Sequence, residues 1–432
     1  MRAVLRTGLF LSLLLLVPQV NAQTITLRHA VELAMQHSGQ TTLAAADREK
    51  ALAAYHEARS AYLPRLVLGT GIGASYGFPL SLENSAPSLF NVSSQQIVYS
   101  PAQKQFVRSA RVAVEATDSL NLDQRDVLIQ DTAVTYIELS KWTQDNDILA
   151  NALANDQKTE QIEQERIAAG VDKPVDLDRA KLATARIQMR MTEAKGSADV
   201  LRLHLAQLTG LSAEELDTDP DSIPIFPEVS QADDLAKKAL QSNPAIKAAQ
   251  QQALSKQFAA VGEHKALYPS FDLAGQYALL SNFNNYQVYL NKFQNNNASG
   301  GLVVKFPFFD TAQRARAAEA KADSIRASRE AEAAKDRMSL ETLRLQRSVQ
   351  ELQAAVDVAQ LEYQLAQAEL ANTETRLQSQ VGTLREEQDA RTKIEQAYDA
   401  LTDANLTLQK AKIQLLRNTG ELRQWAFSGQ LR

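Results

Sequence analysis

Three carboxylates in four residues, Glu386, Glu387 and Asp389, stand directly behind the step Val381-Gly382-Thr383. Such a cluster could do acid–base work, hold a divalent cation, or complement the positive end of a helix dipole. Acid–base catalysis needs a carboxylate pair set apart from its surroundings, and no pair stands out from the charged helical background. A metal centre draws on Cys, His and carboxylate at ligand-like spacing. The chain has no cysteine, and its five histidines (His29, His37, His56, His204, His264) are scattered. There is no Gly-rich phosphate loop and no nucleophile elbow. The expectation is a protein that is not an enzyme and holds no cofactor.

The elements around the cluster say more. About seventy residues upstream of it contain helix formers with almost no glycine or proline. A rod of this kind that stops, turns and returns is a helical hairpin, with the acids at its tip.

The amino terminus narrows the compartment. Residues 1–22 carry Arg2 and Arg6, an apolar run from Gly8 to Val17, and Val20-Asn21-Ala22. This pattern predicts a secretory signal peptide cleaved after Ala22, its apolar core being too short to span a bilayer as a helix. An exported chain without cysteine has no disulfides and must gain stability from packing or oligomerisation. After residue 22 no apolar run is long enough for a spanning helix, so entry into a bilayer would require strands closed into a barrel. The net charge of −5 is mixed along the chain, which argues against nucleic-acid binding.

The chain reads as a duplication. Residues from about 30 and from about 235 are Ala/Gln-rich helices that end at a tyrosine near a proline, Tyr62 with Pro64 and Tyr268 with Pro269. "QQIVYSPAQKQFVRSARVAVEA" then parallels "KFPFFDTAQRARAAEAKADS", and the halves repeat at an offset of roughly 205 to 210 residues. Period-2 alternation marks strands: Leu66, Leu68, Ile72, Ala74 and Tyr76 after Pro64; Phe271, Leu273, Tyr277 and Leu279 after Pro269; Leu302, Val304, Phe306 and Phe308 before the second long helix. A fourth strand, residues 89–99, alternates poorly and rests on the repeat.

A soluble sheet backed by helices and a membrane barrel both fit these strands. The aromatics favour the barrel. Tyr62, Tyr99, Tyr268 and Phe309 group at one end of the segments and Tyr76, Phe78, Tyr277 and Phe283 at the other, as in interfacial girdles. Four strands cannot close a barrel, so spanning strands force oligomerisation.

Helices are expected over 30–62, 102–169, 175–209, 232–267, 311–380 and 384–420. The two long ones are each roughly 100 Å. The second carries a heptad-like seam: Leu345, Val349, Leu352, Val356, Ala359, Tyr363, Ala366, Leu370, Leu377 and Val381.

Together the signal peptide, the duplicated helix–strand–strand–helix order and the turn motifs resemble the TolC-type outer-membrane efflux and secretion channels, over nearly all of the mature chain. The resemblance implies a mainly α fold with membrane β: a long coiled-coil α-helical barrel plus a 12-stranded transmembrane β-barrel formed by a homotrimer, four strands per protomer. It implies localisation in the outer membrane, extending into the periplasm. The function implied is a passive exit duct for a tripartite efflux pump or type I secretion system, with a periplasmic adaptor, an inner-membrane pump and outer-membrane lipid as partners. The tips Gly170, Val171, Val381, Gly382 and Thr383 look like the family's adaptor contacts, their glycines easing the chain out of the helix. Asp389 first, then Glu386, with Asp176 and Asp178 of the first tip, are the acids expected at the pore constriction, repeated three times around the axis. A helix N-terminal charge is the plainer reading of any one of them.

The expected domains are the signal peptide (1–22), a first repeat (23–209), a linker (210–231) and a second repeat (232–432). The rival reading is a soluble periplasmic coiled-coil adaptor or scaffold, with one hairpin and no membrane girdle.

Overall fold

The computed structural model describes residues 23–70, 88–171, 173–231, 234–280, 294 and 296–428. The signal peptide and the girdle residues Tyr76, Phe78 and Phe283 lie outside the described residues. In chain order the elements are β1 (Gln23–Ile25), α1 (Leu27–His37), α2 (Gly39–Ser60), β2 (Arg65–Gly69), β3 (Ser88–Tyr99), α3 (Pro101–Ala168), α4 (Pro174–Thr209), β4 (Leu216–Thr218), α5 (Leu235–Ser242), α6 (Pro244–Lys265), β5 (Ser270–Leu280), β6 (Asn296–Lys305), α7 (Thr311–Gln378), α8 (Leu384–Thr419) and α9 (Leu422–Phe427).

Two of the expected helices are each broken in two. Ser38 accepts the Gln40 N–H and starts α2, while Asn243 accepts those of Ala245 and Ile246 and starts α6, with Pro244 at its first position. A side-chain acceptor there satisfies amides that the helix leaves free, so the chain can turn at low cost. The polar turn residues of "HSG" and "SNP" are the sequence trace of both breaks.

The described residues form two compact units, one drawn from 23–37 and 132–224, the other from 38–131 and 225–428. In the first unit β1 and β4 pair in parallel. Tyr136, fully buried, ties them together: its hydroxyl donates to the Ile25 carbonyl at 2.6 Å and accepts the Asp219 N–H at 2.8 Å. Burial pushes its pKa up to about 12, so the hydroxyl keeps its proton at physiological pH. The segment expected as a linker thus contains a paired strand and one-turn helices at Ala213–Glu215 and Pro220–Ser222. In the same unit Leu149 on α3 packs with Ile187 and Ala194 on α4.

In the second unit the strands form one antiparallel sheet in the order β2-β3-β5-β6. The register sorts the side chains by face. Leu66, Leu68, Val92, Leu273, Leu302 and Val304 share one face, while Arg65, Gln95, Asp272, Gln276, Ser299 and Lys305 share the other. The first face is apolar yet uncovered: Leu66 is 70% exposed and Leu302 62%. Strand β3 alternated poorly in sequence for two reasons. Ser93, Ser94, Gln95 and Gln96 put polar groups on both faces, and register shifts between Ser88 and Phe90 and between Ile97 and Tyr99 change the phase of the alternation.

The seam of α7 is buried where it meets α8. Val349 packs with Leu408 and Leu415, flanked by Leu345, Leu352 and Val356, and the rings of Tyr363 and Tyr398 lie 5.7 Å apart. Val381, the last residue of the expected seam, lies past the helix end and is exposed. A second stripe on α7 (Val358, Leu361, Leu365) is also exposed; its heptad-like spacing marks a helix face left uncovered among the described residues.

Candidate functional site: the hairpin tips and the polar face of the sheet

Each hairpin turns at a short, tightly bonded tip. In the first unit Gly170 takes a left-handed φ of 73°, and the Val171 N–H donates to the Arg166 carbonyl at 2.9 Å. Lys173 caps α4 without a side-chain bond, and Pro174 occupies its first turn, where a missing N–H costs nothing. In the second unit the left-handed residue is Gln380 (φ 58°), and the Val381 N–H donates to the Arg376 carbonyl at 3.0 Å.

Glycine therefore eases the exit from the helix at the first tip only. Gly382 has ordinary φ and is needed for space, because a Cβ there would sit 3.0 Å from the Leu377 nitrogen and 3.2 Å from the Arg376 carbonyl carbon. The turn geometry sets the register of the two tips: Gly170 corresponds to Gln380 and Val171 to Val381, both at an offset of 210 (380 − 170 and 381 − 171). The return helices begin at the same offset, Pro174 and Leu384.

That register redistributes the acids. Asp176 matches Glu386, Asp178 matches Gln388, and Asp389 stands where the first tip has Arg179. Asp176 is paired with Arg179 at 2.8 Å, and Asp178 is exposed. Glu386 and Thr383 form a capping box, and Arg376 reaches the same Glu386 carboxylate at 3.6 Å. Asp389 is the most open of the tip acids with a recorded ion pair: its side chain is 72% exposed, with Arg385 3.9 Å away. Below each tip the next alanine turns inward and is buried, Ala180 in one hairpin and Ala390 in the other.

Three ion pairs join α7 to α8 behind the second tip. Besides Arg376 with Glu386, Arg391 reaches Glu374 at 3.1 Å and Lys393 reaches Glu369 at 3.1 Å. Each is partly solvated and worth on the order of 0–1 kcal/mol, so they fix the register of the hairpin more than its stability.

A second set of charged groups, on the polar face of the sheet, escaped sequence reasoning. The Asp272 carboxylate is buried, accepts the Gln95 amide at 2.9 Å and meets the Lys305 ammonium at 2.7 Å. Arg65 stands on the edge strand of the same face. The available signal was the polar phase of the alternation, where Asp272 and Lys305 both fall. Among the described residues no group of three or more His, Cys, Asp or Glu side chains could hold a metal ion.

Comparison with solved structures defines the fold. The chain superposes on the outer membrane protein VceC from Vibrio cholerae with a TM-score of 0.77 at 18% identity, over 91% of this chain and 96% of that one. The outer-membrane channel OprN gives 0.75 at 20% identity, over 91% and 90%. The Campylobacter jejuni CmeC outer membrane channel gives 0.76 at 16%, over 92% and 86%. The chain thus has the fold of outer-membrane channel proteins across almost its entire described length. No family model and no curated protein matches the sequence.

Proposed function

We propose that the chain is one protomer of a homotrimeric outer-membrane channel, the exit duct of a tripartite efflux pump or type I secretion system. The observation that carries this reading is the sheet: four antiparallel strands with an uncovered apolar face, a polar opposite face, and two unpaired edges, β2 and β6. Alone in water such a sheet is an aggregation hazard. Three copies, joined β6 to β2, give a closed 12-stranded barrel with the apolar face toward lipid and no edge left.

The helices support the same assembly. The exposed stripe of α7 needs a neighbour, and a partner's helix supplies one in a coiled-coil α-barrel. Paired element lengths, 22 residues for α2 and α6, 68 for α3 and α7, and 36 for α4 and α8, support an internal duplication that makes the trimer nearly sixfold in its helices. Two helical hairpins and an uncovered apolar sheet also weigh against the single-hairpin soluble adaptor.

In this reading the duct spans from the outer membrane into the periplasm and moves solutes passively, driven by an inner-membrane pump. The tips Gly170, Val171, Val381, Gly382 and Thr383 meet a periplasmic adaptor. The acids Asp389, Glu386, Asp176 and Asp178 ring the constriction, with Asp389 contributing most. The mass of the detergent-extracted particle tests the assembly: three copies support it, and a monomer released without detergent restores the adaptor reading.

A further inference from the structure

The inner face of the sheet carries only three ionisable side chains among the described residues: Arg65, Asp272 and Lys305. All three lie at the end of the strands nearest the helices, Arg65 as the first residue of β2 and Lys305 as the last of β6. The Asp272 carboxylate, held by Gln95, neutralises Lys305. No carboxylate partner of Arg65 occurs among the described residues, and Arg65 lines the concave polar surface together with Ser93, Gln95, Gln276 and Ser299. Among the described residues, each chain therefore presents one uncompensated positive charge inward.

Closing the barrel concentrates that charge. Strand β6 is antiparallel to the β2 it must meet, and the apolar face has to stay continuous around the ring. Arg65 of the partner subunit then falls on the same inner face and at the same end as Lys305, on the adjacent strand. Two cations would meet at every seam, and Asp272 removes one of them.

We propose that Arg65, repeated three times, forms an anion-attracting belt at the helix-proximal mouth of the β-barrel, with Asp272 setting its strength by neutralising Lys305. The solutes it favours are those carrying carboxylate, phosphate or sulfonate groups. The inference rests on the trimeric-barrel reading above. Twelve strands spaced about 4.8 Å apart and tilted about 40° enclose a backbone ring roughly 24 Å across. A guanidinium reaching inward from that wall lies within one Debye length of the axis at 0.1 M salt (about 10 Å) and beyond it at 1 M (about 3 Å). The belt acts at low salt and vanishes at high salt. It lies in series with the tip acids and has the opposite sign.

The test uses the full-length protein in a planar bilayer, with inorganic pyrophosphate added on the barrel side. The wild-type current should fall several-fold in 0.1 M KCl and stay unchanged in 1 M KCl. Arg65→Gln should abolish the effect. Lys305→Gln should abolish it too, because the released Asp272 charge then cancels Arg65, whereas Asp272→Asn should strengthen it. An Arg65→Gln channel that inserts normally and keeps the block overturns the belt and leaves the barrel intact. Wild-type protein that never inserts overturns the barrel reading, and the belt with it.

Discussion

Thr383 and Glu386 hold each other at the second tip: the Glu386 N–H donates to the Thr383 hydroxyl and the Thr383 N–H donates to the Glu386 carboxylate, both at 3.2 Å. A carboxylate engaged in this way serves the fold of the hairpin. Asp389, one turn further on, forms no hydrogen bond of that kind and has only a long contact with Arg385. Glu386→Gln, which keeps an acceptor at the cap, should change cation selectivity less than Asp389→Asn. Reversal potentials of the two variants in a KCl gradient make the comparison. Thr383→Ala should cost about 1 kcal/mol of hairpin stability, read as a lower thermal midpoint.

The two left-handed tip residues predict opposite responses. Gly170→Ala places a Cβ at a φ of 73° and should destabilise the first hairpin by roughly 1 kcal/mol. Gln380→Gly relieves the same conformation at the second tip and should be neutral or stabilising. Gly382→Ala should destabilise by crowding the Leu377 nitrogen. A thermal series on the three variants decides the ranking, and a stable Gly170→Ala protein would show that the turn rearranges.

Tyr136→Phe removes one hydroxyl from a buried site and leaves the Ile25 carbonyl and the Asp219 N–H only their long mutual bond of 3.4 Å. The cost should be on the order of 1–2 kcal/mol, from exchanging short buried hydrogen bonds for one long one. Hydrogen exchange at the Asp219 amide should accelerate, while the α7/α8 hairpin in the other unit keeps its protection.

Asp126 supplies a pH dependence. Burial pushes its carboxyl above the ordinary aspartate value of 3.8, and the Arg423 guanidinium at 2.9 Å opposes that only in part. The folded state therefore holds the proton more tightly than the unfolded one. This contribution is fully present below about pH 3.8 and is lost as pH rises through the raised folded value. The thermal midpoint of the wild type, relative to Asp126→Asn, should fall as pH increases across that window. A relative midpoint that rises instead would show that the ion pair outweighs desolvation.

Much of this architecture was readable from residue order because local chemistry dictates it. The long helices lack breakers, the α7 seam repeats with heptad spacing, and Pro64 and Pro269 mark where helix gives way to strand. The failures have local causes as well. Strand β3 was legible only through the repeat, because its polar run and its bulges blur the alternation. Gln380 occupies a left-handed position where a turn motif points to glycine, so the neighbouring Gly382 was credited with easing the helix exit. The Asp272–Lys305 pair joins neighbouring strands 33 residues apart in sequence (305 − 272); the alternation puts both residues in the polar phase, but it does not say which strands are neighbours.

The central claim is that the uncovered apolar face of the four-stranded sheet meets lipid in a closed trimeric pore. Single-channel recording of the detergent-purified protein in a planar bilayer tests it most directly. The account predicts stable, small, cation-selective steps, with Asp389→Asn raising conductance or weakening the selectivity. Well-folded protein that leaves the bilayer electrically silent would contradict it.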